Sequence, residues 1–519
     1  MQRTRLALVA AIVAVAAVSA PPATAVDRYK PPPQRPNIIV ILADDLGYGD
    51  TGVYGSKIVR TPNIDALAAD GVRFTDGYVT HPVCAPSRAG LLTGRYQTRF
   101  GWEFNPVGRD RQGGVSLNET FVGQVMKSAG YHTGMIGKWH LGEAPGYQPL
   151  DRGFDEFFGT LQGATAYLTD PQPGDDSYDP PGSQGSYRAT AEDPLPPTAT
   201  VAERMAHVRA HAPIRRGRDV VQVPGYLTEA FTADAVRFIG ENRGRPFFLY
   251  LAYNAPHTPL QATRKYLDRY ADVPDRGQRV YAAMVSALDD GVGAVRAKLK
   301  AEGLERNTLI IFLSDNGCAG YVQGACSNAP LSGFKGTHLE GGVRIPFIAA
   351  WPGQIPAGRV DHRMVSSLDI VPTAAGLARA RLPRGSDGVN LMPYLAGGDT
   401  RVPNPTLYWR AGNTFAIRDA NWKLWLADKA DPAAKPGPEA GVTPDGTPLT
   451  PSSFGQHAML YDLQSDLAEA HNRAVDAPKV VAGLKAKLKV WDKGNAPAQW
   501  TSMRQSTRQQ DGQLLKLYD

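Results

Sequence analysis

Three short stretches of the chain are apolar almost without interruption: residues 37–42, 246–251 and 308–313. Runs of this length are typical of strands that are buried on both faces of a sheet. Between the second and third runs, apolar side chains recur at helical spacing over residues 279–299, which predicts a long helix with one face on a core. The alternation of strands and helices as far as about residue 380 predicts a doubly wound α/β domain.

Cap and breaker residues predict further elements. Thr61 and Pro62 suit the start of a helix that ends before Gly71. Helices are also expected over residues 120–129 and 227–239, and a short strand over residues 133–136. Residues 170–224 are rich in Pro, Gly, Ser and Asp, so we expect an exposed insertion with some helix near residues 202–210.

The pattern changes after Pro383, where short strand candidates follow one another without helices between them. They lie at residues 406–409, 414–418, 422–426 and 459–462, and a helix is expected over residues 479–491. We therefore predict a large α/β domain over residues 35–382 and a small α+β subdomain over residues 383–519. The subdomain should hold an antiparallel sheet and one helix.

The N-terminus has the form of a secretory signal peptide. Arg3 and Arg5 precede an apolar run from Leu6 to Val18, and an A-x-A cleavage site follows at residues 23–25, with residues 18–20 as a second option. The run is short for a membrane span, and no later segment is apolar enough for one. Residues 1–25 are thus predicted to be a signal peptide of an exported protein, periplasmic or secreted, with no membrane anchor.

Composition and net charge indicate which kinds of binding partner the protein can have. The 519 residues are 42% hydrophobic and 20% charged, which fits a globular protein with a sizeable core. The net charge of +6 is mild for this length, so a nucleic-acid partner is not expected, whereas acidic substrates are compatible with it.

Polar residues follow several predicted strands at the point where each strand ends. In open α/β sheets, ligands bind beyond the carboxyl ends of the strands, so we expect these side chains to meet in one pocket. They are Asp44, Asp45, Lys138, His140, His257, Asp315 and Asn316.

Four of these residues offer hard oxygen ligands, and no Cys and His residues are spaced as in a zinc site. Oxygen ligation indicates Ca²⁺ or Mg²⁺, and a cage built mainly from protein groups favours Ca²⁺. The predicted ligands of one Ca²⁺ are Asp44, Asp45, Asp315 and Asn316.

Residues 81–95 combine a cysteine with a predicted helix start. Pro86 suits the first helical turn and Gly94 the helix end, so Cys84 should lie at a helix N-terminus with Arg88 one turn on. A thiol there is expected to have a lowered pKa. A buried structural cysteine is the alternative, as is a phosphatase-type thiolate, although that loop places more residues between Cys and Arg.

The stretch from Cys84 to Arg88, followed by Leu-Thr-Gly-Arg, resembles the signature of the type I sulfatases. Other landmarks of that family appear in order along the chain, namely Asp44-Asp45, Gly137-Lys138-Trp139-His140, Pro256-His257, Asp315-Asn316-Gly317 and Phe334-Lys335-Gly336. The resemblance implies an alkaline-phosphatase-like fold and hydrolysis of sulfate monoesters. It also implies that a formylglycine-generating enzyme converts Cys84 to formylglycine during maturation.

The same resemblance implies a role for each site residue. The hydrated aldehyde at position 84 attacks sulfur with Asp315 as the base, and Arg88 and Lys138 hold it in place. His257 or Lys335 protonates the departing alcohol. His140 takes the proton whose loss releases sulfate.

Two other functions remain open at this stage. One is a phosphomonoester or phosphonate-ester hydrolase on the same scaffold, and the other is a non-catalytic binder of sulfated glycans with an unmodified Cys84. For a sulfatase, a sulfated small molecule or a sulfated carbohydrate is the expected substrate. Arg215, Arg216 and Arg218 in the insertion either grip neighbouring anionic groups or form a solvated surface cluster.

Cys318 and Cys326 are the remaining cysteines of the chain and lie in a short Gly-containing loop. In an exported protein they can form a disulfide, and the alternative is a pair of free thiols.

Overall fold

The computed structural model describes residues 35–106, 113–178, 200–322, 324–429, 457–500 and 505–518. The predicted signal peptide lies outside the described residues, and so do residues 179–199 of the predicted insertion.

The strands, in chain order, are β1 Asn37–Ala43, β2 Gly71–Tyr78, β3 His132–Lys138, β4 Glu156–Thr160, β5 Asp176–Tyr178, β6 Arg215–Arg216, β7 Asp219–Val220, β8 Phe247–Ala252, β9 Leu260–Ala262, β10 Thr308–Ser314, β11 Arg344–Ala350, β12 Arg359–Asp361, β13 Val365–Ser366, β14 Thr406–Ala411, β15 Thr414–Asp419, β16 Trp422–Ala427, β17 His457–Asp462, β18 Gln505–Gln510 and β19 Gln513–Tyr518. The α-helices are α1 Pro62–Ala69, α2 Cys84–Thr93, α3 Val122–Ser128, α4 Val201–His211, α5 Leu227–Glu241, α6 Arg264–Leu267, α7 Arg276–Ala301, α8 Glu340–Val343, α9 Ile370–Ala378, α10 Met392–Leu395 and α11 Pro478–Asp492.

A large mixed sheet forms the centre of the molecule, in the order β12-β2-β11-β10-β1-β8-β3-β4-β6-β7. Its middle strands β10, β1, β8, β3 and β4 all run parallel, while β11 and β6 pair antiparallel on either side. The predicted α/β class with a large mixed sheet is confirmed. The parallel centre brings the carboxyl ends of five strands to one edge, where the predicted site residues lie.

Helices cover both faces of the sheet, because alternate residues of each central strand point to opposite sides. In β1, Ile39 and Ile41 pack in the core that α5 and α7 cover, whereas Val40 and Leu42 pack on the side of α3 and α9. None of the helices in the described part of the chain combines the length and the apolar character that a membrane span needs.

The C-terminal part forms an antiparallel sheet in the order β14-β15-β16-β17, against which α11 packs. These elements were all expected from the sequence. The hairpin of β18 and β19 was missed, although its turn holds Asp511 and Gly512, both with positive φ. An Asp-Gly pair between two short strands is a strong hairpin signal. The boundaries of the two domains stay a prediction.

The predicted insertion contains more regular structure than its composition suggested. The expected helix is present as α4, and β6 and β7 form a small hairpin that extends the large sheet beside β4. Further along the chain, Cys318 and Cys326 form a disulfide with their Cα atoms 6.1 Å apart, which decides between the two alternatives.

Candidate active site

The predicted site residues meet because of where the parallel strands end. Asp44 directly follows β1, Lys138 is the last residue of β3, and Asp315 directly follows β10. The register pairs Ala43 with Ser314, so the carboxylates after these two strands are brought to the same level of the sheet.

Cys84 is the first residue of α2, and it is almost fully buried. The next backbone N–H, from Ala85, donates to Asn105 Oδ1 at 3.0 Å, which fixes the start of the helix. Gly94 ends the helix in the left-handed region, as predicted. The Cys84 Sγ lies 3.5 Å from Asp44 Oδ1 and 3.2 Å from Lys335 Nζ.

The expected low pKa of the Cys84 thiol is wrong. Burial raises its pKa above the ordinary value, by more than the nearby Lys138 and Lys335 lower it, and Asp315 and Asp44 raise it further. The sequence pattern gave the helix N-terminus correctly, but it did not show that the thiol would be removed from water among carboxylates.

Arg88 joins three parts of the site. Its Nε donates to Asp315 Oδ2 at 2.9 Å, its Nη2 forms an ion pair with the same oxygen at 2.8 Å, and its Nη1 donates to the carbonyl oxygen of Lys138 at 2.8 Å. Arg88 therefore anchors α2 to the ends of β3 and β10.

Two lysines neutralise the acidic pair after β1. The Lys138 Nζ donates to Asp44 Oδ2 at 2.7 Å, and the Lys335 Nζ donates to both Asp45 oxygens at 2.7 and 2.9 Å. Burial alone would raise the pKa of Asp45, but the nearby cations, led by Lys335, hold it below its ordinary value. Although burial opposes it, the pKa of Lys335 lies well above its ordinary value beside Asp45 and Cys84.

Asp315 has the opposite shift. Burial and the neighbouring Asp44 raise its pKa to about 6, against the effects of Arg88 and Lys138. Its Oδ1 accepts the backbone N–H of Asp45 at 3.2 Å, so Asp315 also orients the residue after Asp44.

The two predicted histidines follow neighbouring strands of the sheet, His140 after β3 and His257 after β8. The His257 Nε2 lies 3.7 Å from Asp45 Oδ2, and its Nδ1 bonds the carbonyl oxygen of Thr258 at 2.6 Å. Burial lowers the pKa of His257 to about 3, although Asp45 opposes the shift. Burial, with Lys138 and Arg88 nearby, also lowers the pKa of His140 well below its ordinary value, so both rings are neutral at pH 7.

The acidic cluster has the donor set of a cation site. Asp44, Asp45, Cys84 and His257 each place a ligand atom within 4.8 Å of the others. The Oδ1 atom of the buried Asn316 has no hydrogen-bond partner among the described residues, while its Nδ2 donates to Asp45 Oδ1 at 2.7 Å. A buried amide oxygen without a donor beside carboxylates fits the hard oxygen ligation that Ca²⁺ prefers.

All the predicted site residues thus converge, but the insertion arginines do not join them. Arg216 pairs with Asp234 at 2.9 Å, and Arg218 pairs with Asp151 at 2.6 Å, on the hairpin beside β4. These pairs favour the alternative of a surface cluster over a basic rim.

Three other residues at the site have no signal in the sequence. Asn105 holds the N-terminus of α2, and Tyr321 lies near enough to Lys335 and Cys84 for their charges to act on its hydroxyl. Gly163 packs on the His140 ring, where a Cβ atom would come within 2.6 Å of its Nε2. Each reaches the site through a loop whose path depends on the whole fold.

Comparison with known proteins places the chain in a family. The family model described as Sulfatase matches residues 36–380. The N-acetylgalactosamine-6-sulfatase of Mus musculus is 36% identical over 407 residues, covering 76% of this chain and 72% of the relative. Arylsulfatase A of Homo sapiens is 36% identical over 471 residues, covering 87% and 86%.

Comparison with solved structures supports the same family. The structure described as Ps i-CgsB in complex with k-i-k-neocarrahexaose is 33% identical, with a TM-score of 0.73 over 90% of this chain and 95% of that one. A phosphonate monoester hydrolase of Agrobacterium radiobacter has a TM-score of 0.59 at 20% identity, which shows a common fold alone. The chain belongs to the sulfatase family, and it is an enzyme that hydrolyses sulfate esters.

Proposed function

We propose that this enzyme removes sulfate from a sulfated glycan, with formylglycine at position 84 and one Ca²⁺ in the site. The observation that carries the proposal is the position of Cys84, whose Sγ lies between a carboxylate, Asp44, and a protonated amine, Lys335. A reacting group placed there meets both a cation site and a source of protons.

Asp44, Asp45, Asp315 and Asn316 would hold the Ca²⁺. The unpartnered Asn316 Oδ1 and the neighbouring carboxylates of Asp44 and Asp45 support this ligand set, and the Asp315 Oδ1 lies beside them, where it accepts the Asp45 N–H at 3.2 Å. Bound there, the ion would supply positive charge to the sulfate oxygens. Lys138 and Lys335, which contact the two carboxylates directly, would add positive charge of their own.

The protein groups around position 84 are arranged to hold a nucleophile rather than to ionise a thiol. Formylglycine, when hydrated, supplies one hydroxyl that can attack sulfur and a second whose deprotonation releases sulfate. Asp315 is the proposed general base, and Arg88 of α2 holds its carboxylate in place. The Cys84 Sγ lies 3.5 Å from Asp44 Oδ1 and 3.8 Å from Asp45 Oδ1, and a thiolate would be repelled by these carboxylates.

Proton transfer is assigned to the lysine and the histidines of the site. Of the two residues that sequence reasoning left open, Lys335 keeps its proton, whereas His257 is neutral and its Nδ1 faces a carbonyl oxygen. We therefore assign protonation of the departing alcohol to Lys335. His140 is neutral and its Nδ1 has no partner among the described residues, so it is suited to accept a proton.

Glycan substrates are supported by the comparisons. One relative at 36% identity is named for N-acetylgalactosamine 6-sulfate esters, and a structure at 33% identity holds a neocarrahexaose. Export in a signal-peptide-bearing precursor, with conversion of Cys84 by a formylglycine-generating enzyme, belongs to the same proposal. A sulfated extracellular polymer is a substrate that such a protein would meet.

The test compares kcat/KM on nitrophenyl sulfate, nitrophenyl phosphate, N-acetylgalactosamine 6-sulfate and a sulfated neocarrahexaose. Sulfate esters should be cleaved far faster than the phosphate ester, and a sugar sulfate should have the lower KM. Faster cleavage of the phosphate ester would overturn the assignment to sulfate esters. Tight glycan binding without turnover, together with an unmodified Cys84, would identify a non-catalytic binder instead.

A further inference from the structure

A second group of charged side chains lies buried where the large domain meets the C-terminal subdomain. We call it the Glu340 cluster, and it consists of Glu340, Arg344, Arg418, Lys423 and Glu469. The Lys423 Nζ contacts Glu340 Oε1 at 2.8 Å and Glu469 Oε1 at 3.4 Å. The backbone N–H of Glu340 donates to Glu469 Oε2 at 2.6 Å, and Arg344 Nη1 lies 3.1 Å from Glu340 Oε2.

The cluster joins two parts of the chain that are distant in sequence. Glu340 opens α8 in the large domain, whereas Lys423 lies on β16 and Glu469 lies beyond β17. The side chains of Glu340 and Lys423 have no exposed surface. Burying several charges costs free energy, and an apolar replacement of similar volume is often as stable, so the cluster is not explained by stability alone.

The position of the Glu340 cluster relative to Lys335 suggests a function for it. Glu340 is five residues after Lys335, at the end of an irregular segment, residues 334–339. The near end of that segment is held where the Lys335 N–H donates to the carbonyl oxygen of Cys318 and the Gly336 N–H donates to that of Pro82, both at 2.9 Å. The far end is held by the Glu340 cluster.

The middle of the segment packs against the loop of Cys84. The His338 ring lies edge-on to the ring of His81, with the centroids 6.1 Å apart, and both side chains are buried. His81 is three residues before Cys84, and Gly336 bonds Pro82 in the same loop. A shift at Glu340 would therefore move Lys335 relative to Cys84.

We propose that Lys423 and Glu469 of the C-terminal subdomain are positioning residues, which act through Glu340 to keep the Lys335 amine against Asp45 and position 84. The inference rests on the proposed function, in which Lys335 serves the reaction. It gives the C-terminal subdomain a part in the active site although Lys423 and Glu469 do not touch the reacting atoms.

Another buried ion group between the same two parts of the chain provides a matched control. Arg410 on β14 contacts Glu103 Oε1 at 2.5 Å and Asp492 Oδ1 at 2.6 Å. Its contacts are to Glu103, to α11 and to the carbonyl oxygen of Ala496, and none is to residues 334–340. Loss of Arg410 should lower stability in the same way without reaching Lys335.

The test is a double-mutant cycle on phenyl sulfate. Lys423→Met should lower kcat/KM about 10-fold in the otherwise unchanged enzyme, because small misplacements of a reacting group are costly. In a Lys335→Met background it should have less than about a 2-fold effect, since the residue it positions is already absent. Arg410→Met should leave kcat/KM unchanged in both backgrounds while lowering the melting temperature.

Equal losses from Lys423→Met in both backgrounds, or no loss in either, would overturn the inference. If Lys423→Met does not fold, Glu469→Gln replaces it in the cycle, since the amide oxygen of the glutamine can still accept the Glu340 N–H. Lys423→Arg, which keeps the positive charge, should be more active than Lys423→Met. If Lys335→Met by itself leaves phenyl sulfate turnover unchanged, the role proposed for Lys335 fails instead, which separates the two failures.

Discussion

Arg88 and Asp315 form an ion pair whose two side chains are both fully buried, with Nη2 2.8 Å from Oδ2. The same carboxylate oxygen accepts the Arg88 Nε, and the remaining guanidinium nitrogen, Nη1, binds the backbone of Lys138. The planar guanidinium group carries several donors and can reach these acceptors together, whereas a lysine ammonium group cannot. The pair therefore fixes the helix of Cys84 to two strand ends.

Arg88→Lys should consequently lower kcat by about 100-fold while keeping the charge, because the start of α2 loses its fixed orientation. The free energy of unfolding should fall by about 2–3 kcal/mol, since a buried carboxylate loses hydrogen bonds. Steady-state kinetics and urea unfolding measure the two effects. Arg95→Lys, just beyond the C-terminal end of α2 in a partly exposed pair with Glu119, should change kcat little. An Arg88→Lys enzyme with full kcat would contradict this account.

Removal of the proposed Ca²⁺ should lower both activity and melting temperature. A ligand present at about 100 times its dissociation constant stabilises the folded state by about 2.7 kcal/mol, so added Ca²⁺ should raise the melting temperature of chelated enzyme. Asn316→Ala removes one proposed ligand without changing the net charge, and it should abolish most of that rise. Calorimetry with and without Ca²⁺ gives the measurement.

Asp50→Asn is the control for the cation site. Asp50 is buried like the proposed ligands, but its carboxylate accepts from the Tyr281 hydroxyl and the Ser327 N–H, and it lies within 4.8 Å of the sulfur atoms of Cys318 and Cys326. This variant should be less stable than the parent and should still respond to Ca²⁺. A full Ca²⁺ response in the Asn316→Ala enzyme would show that the ligand set is wrong.

The site was predictable from the sequence as far as local patterns determine it. Asp44 and Asp315 each follow an apolar run, so their places at strand ends could be read directly. The pKa of Cys84 could not be predicted in this way. It depends mainly on how deeply the thiol is buried, and the residues that surround the thiol, such as Lys335, come from distant loops. Asn105 and Tyr321 were missed for the same reason, since no local pattern connects them with position 84.

In the fold, too, local elements were predictable from the sequence and long-range contacts were not. The strands and helix of the C-terminal subdomain follow from local apolar patterns and were expected, yet the Glu340 cluster, which joins the subdomain to the large domain, depends on pairing between residues some 80 and 130 positions apart. Such contacts are set by packing and have no counterpart in the local sequence.

The state of Cys84 can be measured directly. Mass spectrometry of the peptide that contains it should show loss of sulfur and gain of oxygen in active enzyme, as conversion to formylglycine requires. Cys84→Ala should abolish turnover and leave the melting temperature close to that of the parent, since the change removes one atom from a buried site. A fully active preparation that contains only unmodified cysteine would rule out the aldehyde.

The choice between Lys335 and His257 as proton donor makes a separate prediction. Loss of a general acid slows substrates with poor leaving groups most, so Lys335→Met should reduce kcat/KM on phenyl sulfate about 100-fold more than on nitrophenyl sulfate. His257→Gln should reduce both rates by the same factor. If His257→Gln produces the discrimination instead, the assignments of these two residues must be exchanged.

His81 should make stability depend on pH. Its ring is fully buried, and burial lowers its pKa from 6.5 to about 3, so the folded protein keeps it neutral. The unfolded chain takes up a proton below pH 6.5, so the stability contributed by the neutral ring is present above that pH and is lost as pH falls towards 3. Between about pH 7.5 and about pH 5, this one residue should cost about 2 kcal/mol of the free energy of unfolding.

His81→Asn removes the titrating group and keeps an acceptor for the Val83 N–H, which the His81 Nδ1 accepts at 3.3 Å. The variant is expected to lose about 2 kcal/mol less than the parent over the same pH interval, measured by urea unfolding at both pH values. His471→Asn provides the control, because that side chain is 80% exposed and its removal should leave the pH dependence as it was. An identical pH dependence in the parent and the His81→Asn variant would mean that the buried ring does not titrate on unfolding as argued, and that the loop before Cys84 admits water around it.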